Sequence, residues 1–172
     1  MTFFEDIVAG ESFVVGRHTF TAAGIKAFAR RYDPQHFHLD EAAAAASHFG
    51  ALCASGWQTA IVSMRMLIEH RRRLAEAAAA RGGRVAQTGP ALGLRDLKWL
   101  KPVYVGDTIA YRIEVLETRV SNSRPGFGLM TIRTTGTNQH GEPVISFLST
   151  AFVERRGASA WRRPARRWAC AI

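Results

Sequence analysis

The stretch SGWQTAIVSMRMLIEH, residues 55–70, decides the fold. Trp57, Ala60, Ile61, Met64, Leu67 and Ile68 recur at helical spacing. Gln58, Arg65 and Glu69 are only partly segregated from them, so the pattern predicts a helix buried around much of its circumference. Ser55 offers an N-cap and Gly56 opens the first turn. The run continues into EHRRRLAEAAAARGG, where charges multiply. That part is either a solvent-exposed extension or a separate helix, and Gly82 and Gly83 end it. A long apolar helix of this kind needs a sheet to cover it.

The sheet is legible downstream. After Gly89-Pro90 come ALGLRDLKWL, TIAYRIEVLETRV, FGLMTIRTTGTN and PVISFLSTAFVE, rich in β-branched and aromatic residues. Ile109, Tyr111, Ile113 and Val115 alternate with Ala110, Arg112 and Glu114, which is strand period. Gly106-Asp107, Pro125-Gly126 and His140-Gly141 mark the connections. Four successive strands with short turns predict an antiparallel meander, joined by one early strand in GESFVVGRHTF. The order strand, helices, strands makes an α+β protein without an internal repeat.

Upstream of the long helix, Thr21 offers an N-cap for a helix whose Ile25, Phe28, Ala29 and Tyr32 share one face. Pro34 stops that helix and pushes Asp33 towards an extended conformation. The stretch YDPQHFHLD, residues 32–40, then reads as the loop leaving it. Asp40 can cap a second short helix, EAAAAASHF, which Gly50 can end. Two aspartates and two histidines in nine residues make this loop a candidate catalytic site, a metal site or a polar loop. His and carboxylate ligands suit zinc or iron, but no further ligand is nominated, so no metal is expected.

Bulk properties narrow the class. A chain of 172 residues with 47% apolar content suits one domain with a tail. The cysteines, Cys53 and Cys170, stand far apart without a CxxC, which argues against a disulfide framework and for a reducing cytoplasm. No targeting signal is read in MTFFEDIVAGESF, and the apolar stretch at 51–64 is too short and too polar to span a bilayer. The net charge of +9 invites a nucleic-acid reading, but residues 155–172 hold six arginines and no acid. Without them 17 basic residues face 14 acidic ones, a net of +3. The expected organisation is one folded domain, 1–154, and a basic C-terminal tail, 155–172, with nucleic acid not expected as a partner.

The segments FARRYDPQHFHLDEAAAAASHFG, ALCASGWQTAIVSMRML and LKWLKPVYVGDTI together resemble the MaoC-like dehydratases, which include the (R)-specific enoyl-CoA hydratases. The resemblance runs over residues 28–109, and the later strands fit the same fold. It implies a hotdog fold, an antiparallel sheet wrapped around one long central helix. It also implies a homodimer or a larger assembly of dimers, with an acyl chain bound in a tunnel. The family motif places a histidine five residues after an aspartate; here those are Asp33 and His38. This chain departs from the better-known hydratases in having Pro34 directly after the aspartate, then Gln35 and His36.

The implied reaction is reversible addition of water to an enoyl thioester, with enoyl-CoA the expected substrate, in a context such as fatty acid metabolism. It needs a base at the water, an acid at C2 and a donor at the thioester oxygen. Asp33 and His38 are the candidates for the first two. Partial burial would raise the pKa of Asp33, and the pair would titrate as a unit. Gly56 is the candidate for the third, through its backbone N–H and the helix dipole, and as a glycine it admits a close ligand. Gln35, Ser55 and Trp57 are candidate substrate-binding residues, with rival readings as loop, cap and core. His36 reads as a loop side chain and Cys53 as a small buried apolar residue. No cofactor is needed, since coenzyme A arrives with the substrate. Its phosphates would favour Lys98, Lys101 or the tail arginines. The rivals are a hotdog acyl-CoA thioesterase, for which Gln58 and Thr59 offer no carboxylate, and a non-catalytic acyl-thioester-binding module.

Overall fold

The computed structural model describes residues 3–157. Five strands form one antiparallel sheet: β1 (Ser12–Thr19), β2 (Thr88–Trp99), β3 (Thr108–Val120), β4 (Phe127–Thr137) and β5 (Pro143–Glu154). Their order across the sheet is β1-β3-β4-β5-β2. The early strand joins as expected, pairing with β3. The expected four-strand meander does not form. Only β3, β4 and β5 follow one another, and β2 crosses to the far edge to pair with β5. Strand patterning marks β2 as a strand but does not say which neighbour it takes. Three register shifts against β5 bend it, and Asp96 within it has φ 52°.

Four helices precede the main run of strands: α1 (Ala22–Tyr32), α2 (His36–Leu39), α3 (Glu41–Ala45) and α4 (Gly56–Ala79). Thr21 caps α1 by accepting from the Gly24 N–H at 3.1 Å, and Asp40 caps α3 by accepting from the Ala43 N–H at 2.8 Å. The central helix is one continuous 24-residue element, so the charged second half is an extension and not a separate helix. The sheet wraps around it, and this is the hotdog arrangement the resemblance implies.

The face of α4 turned to the interior overlaps only in part with the one the apolar pattern singled out: Ala60 is buried and Leu67 packs against the core, but the rest of the stripe is exposed. Thr59, Val62, Ser63 and Met66, spaced i, i+3, i+4 and i+7, are buried. Trp57, Ile61, Met64 and Ile68 are 45–59% exposed. Small side chains let the sheet come close: a Cβ on Gly16 of β1 would lie 2.6 Å from the Met66 sulfur. The buried hydroxyls need no partner from the sheet, because Thr59 and Ser63 donate to the Gly56 and Ala60 carbonyls of their own helix at 2.6 Å. Tyr111, fully buried on β3, ties sheet to helix by donating to the Thr59 carbonyl at 3.1 Å. The exposed apolar face of α4 has company, since Leu92, Leu94 and Trp99 of the edge strand β2 are also 47–59% exposed.

The end of β5 is pinned by charge. Glu154 is 3% exposed and takes two hydrogen bonds from Arg84, at 2.8 and 3.0 Å, and one from the Gln87 N–H at 2.9 Å. The Arg84 bonds, aided by Gln87, hold its carboxyl below the usual 4.5 despite burial. A lowered folded-state pKa means the stabilisation is present above the unfolded value and is lost as pH falls through the folded one. Glu154→Gln should therefore cost about 2 kcal/mol at neutral pH, the worth of charged hydrogen bonds to a buried group. In chemical denaturation the gap to wild type should close as the pH drops below 4.5. An equal gap at all pH values would assign the loss to packing.

Candidate active site

Asp33 is the C-cap of α1, with φ −153° and ψ 69°, and its N–H donates to the Ala29 carbonyl at 2.9 Å. Pro34 forbids the helical continuation and turns the chain. The expected loop is then replaced by a helical turn. His36–Leu39 close α2, with the His38 N–H on the Gln35 carbonyl and the Asp40 N–H on the His36 carbonyl. That turn sends two neighbouring histidines apart. His38 is 5% exposed, whereas His36 is exposed. His36→Ala should accordingly keep turnover within about threefold of wild type, since removing an exposed side chain disturbs little. A loss equal to that of His38→Ala, rescued by added metal, would favour a metal site instead.

The orientation of His38 is set by a backbone carbonyl. Its Nδ1 lies 2.7 Å from the Cys53 oxygen. A carbonyl only accepts, so Nδ1 carries a proton, and in the neutral imidazole Nε2 is the acceptor. Nε2 faces Asp33 Oδ2 at 3.5 Å. The Cys53 carbonyl is itself held by the segment around it, where the Ala54 N–H donates to Val103 at 2.7 Å and Cys53 bridges to Tyr104. The Cys53 thiol is buried, as its sequence reading expects, and burial pushes it up to about 11, so it is no nucleophile.

Asp33 departs from expectation. Burial does push its carboxyl up, but hydrogen bonds from Ser55 and Gln35, together with the charge of His38, outweigh it, and the net shift is downward. Gln35 Nε2 donates to Oδ1 at 2.8 Å. Ser55, 1% exposed, both caps α4 through the Trp57 N–H at 3.2 Å and bonds Asp33. The carboxylate is therefore ionised at neutral and mildly acidic pH.

Asp33, Gln35, His38, Ser55, Gly56 and Trp57 all line one cavity of about 380 Å³. The Gly56 N–H stands at the head of α4, where no intrahelical carbonyl can reach it. A Cβ at Gly56 would lie 2.5 Å from the indole of Trp99, so the approach of this ring by itself requires glycine there. Trp57, read as core, is 54% exposed. It meets Trp99 edge-on, with centroids 5.2 Å apart. Lys101 lines the cavity and is paired with Glu142, while Lys98 is exposed and does not line it. Of the tail arginines, Arg155 and Arg156 bond Glu5 and Asp6, and the others lie outside the described residues. Among the described residues no group of three or more His, Cys, Asp or Glu is placed to hold a metal ion. Sequence reasoning missed Trp99 as a wall, although the segment that carries it was singled out, and missed the Cys53 carbonyl, which leaves no mark in side-chain chemistry.

A family model for the FAS1-like dehydratase domain region matches residues 7–147. A solved MaoC-like dehydratase from Rhodospirillum rubrum is 36% identical, with a TM-score of 0.74 over 90% of this chain and 97% of that one. The chain belongs to the MaoC-like dehydratase family. A Mycobacterium tuberculosis protein with a double hotdog fold superposes with a TM-score of 0.68 at 22% identity. It is covered over 45% of its length by 91% of this chain, so the likeness is to a hotdog unit. A mesaconyl-CoA hydratase of Cereibacter sphaeroides is 38% identical over 69 residues, 40% of this chain. This MaoC-like chain aligns with only 20% of that relative's length.

Proposed function

We propose that this protein is a hydro-lyase adding water reversibly across the conjugated double bond of an enoyl thioester, with enoyl-CoA as substrate. The observation that carries the reading is the facing pair. The Cys53 carbonyl takes up the Nδ1–H of His38, so Nε2 is the nitrogen that faces the ionised Asp33 across 3.5 Å, and in the neutral imidazole both are acceptors for a proton donor beside them. One water molecule can donate to both. As its oxygen bonds to C3, Nε2 takes its proton, and the Asp33 carboxylate stabilises the imidazolium that forms. The charge developing on the thioester oxygen is met by the Gly56 N–H and the dipole of α4. The imidazolium then returns the proton to C2, so both atoms arrive from one face of the double bond. Dehydration is the same path reversed. No step asks for a cofactor.

A thioesterase reading is less favoured. The first carboxylate along α4 is Glu69, more than three turns from the helix head. The test is the absorbance of the conjugated thioester with crotonyl-CoA. Loss of that absorbance without release of thiol supports hydration, and thiol release would overturn it in favour of hydrolysis. Binding without either would leave an acyl-thioester-binding module.

The proposal includes a single folded domain over residues 1–154 and a homodimer formed through the exposed apolar faces of α4 and β2. The chain has no described helix long and apolar enough to cross a membrane. The solitary buried thiol of Cys53 among the described residues accords with a reducing cytoplasm.

A further inference from the structure

His38 is aimed by a segment that has no helix or strand of its own. Residues 46–55 join α3 to α4 as turns and extended chain. This strap meets His38 at two points. The Cys53 carbonyl lies 2.7 Å from Nδ1. The Phe49 ring stands 6.4 Å from the imidazole, centroid to centroid, and 4.9 Å from Phe37, the neighbour of His38. Both phenylalanines line the cavity that holds Asp33 and His38. The chain that leaves β2 ties the strap down. At the Cys53 end the ties are backbone: the Ala54 N–H donates to the Val103 carbonyl at 2.7 Å, and Cys53 bridges to Tyr104. At the other end the tie is a side chain, the Tyr104 hydroxyl donating to the Phe49 carbonyl at 2.9 Å. Between the two ties Gly50 turns the chain at φ 71°, a conformation that does not stiffen it. Tyr104 is itself locked, since its N–H donates to Asp107 Oδ2 at 2.8 Å and its carbonyl accepts from the Asp107 N–H at 3.1 Å. One residue thus grips the strap at both ends.

We propose that Tyr104 is a positioning residue for the hydration step, its hydroxyl holding the Phe49 end of the strap so that the Cys53 carbonyl keeps His38 aimed at Asp33. This rests on the hydration reading above. Tyr104 is not among the described residues that line the cavity, so it acts through Phe49 and Cys53 and not on the substrate. A base works only within hydrogen-bond reach of the proton it takes, and a small misplacement costs far more rate than the lost contact costs stability. Without the hydroxyl, the half-buried Phe49 carbonyl loses its donor. Turning that carbonyl to water relieves the loss, but it draws the Phe49 ring off Phe37 and slackens the strap behind Nδ1.

The experiment compares wild type with Tyr104→Phe, which keeps the ring and the backbone bridge and removes only the hydroxyl. On crotonyl-CoA, kcat should fall about tenfold while KM stays within about threefold, because the aim of the base changes and the substrate contacts do not. Nitrogen NMR of the imidazole reads His38 without turnover. At a pH where the ring is neutral, wild type should show the proton on Nδ1, and the variant should move towards a mixture of the two tautomers. A melting temperature that falls while kcat and the imidazole signals stay as in wild type would make the tie merely structural and overturn the proposal. Lost activity with unchanged imidazole signals would overturn it too, since His38 would still be aimed. If wild type turns over no crotonyl-CoA, the hydration reading fails by itself, and the imidazole signals alone then decide whether Tyr104 orients His38.

Discussion

Asp33→Asn should lower kcat/KM for crotonyl-CoA about 1,000-fold, and His38→Ala should do the same to within a factor of ten. Asparagine keeps the shape of aspartate and can still meet Gln35 and Ser55. It removes the charge that steadies the imidazolium, and it lets an amide donor point at Nε2, where water should donate. His38→Ala removes the proton carrier that faces Asp33 at 3.5 Å. Because the two act on one water molecule, the double variant should be little worse than either single one. Circular dichroism and thermal melting should show both variants folded, since each change leaves the core cluster untouched. Near-wild-type rates in either variant would sink the pair. The lowered pKa of Asp33 adds a sign: its carboxylate protonates only below the ordinary value of 3.8. Turnover lost on acidification at higher pH therefore reports another group.

Ile61→Glu should convert the protein from dimer to monomer in sedimentation, at the 19.0 kDa of one chain. Ile61 is 45% exposed and lies between Trp57 and Met64 on the outward face of α4. Those residues, with Ile68, Leu92, Leu94 and Trp99, make an apolar surface of the kind that marks an interface and not a solvated face. A carboxylate at its centre costs several kcal/mol to bury, with Arg65 four residues on already paired with Glu69, so the dissociation constant of the proposed dimer should rise at least about 100-fold. The monomer should stay folded, because the residues that hold α4 on its own sheet are Thr59, Val62, Ser63 and Met66. A wild type that sediments as a monomer would overturn the dimer. An Ile61→Glu variant that stays dimeric would move the interface elsewhere.

Strands β3, β4 and β5, the long helix, the Thr21 and Asp40 caps and the stop at Pro34 were all legible in the chain, because each rests on contacts within a few residues. So was the spacing of Asp33 and His38, which the family resemblance singled out. What local patterns did not contain was anything that depends on distant segments meeting. The partner of β2 was one such thing, since a strand carries its pattern to either edge of a sheet. The pKa direction of Asp33 was another, because Ser55, 22 residues away, joins Gln35 and His38 in outweighing burial. The Nδ1–H of His38 is fixed by the Cys53 carbonyl, and the ring that crowds Gly56 is Trp99, from the far strand.

The sequence by itself determined that α4 would be a helix too apolar to stand alone. Only the tertiary structure decided which side of it faces the sheet. Periodicity groups residues by face, but a central helix has two faces to cover. The sheet takes the one with small side chains, where Thr59 and Ser63 satisfy their hydroxyls on their own helix and the strands can come close. The bulkier stripe of Trp57, Ile61, Met64 and Ile68 is left 45–59% exposed, because one sheet covers only one side of the helix.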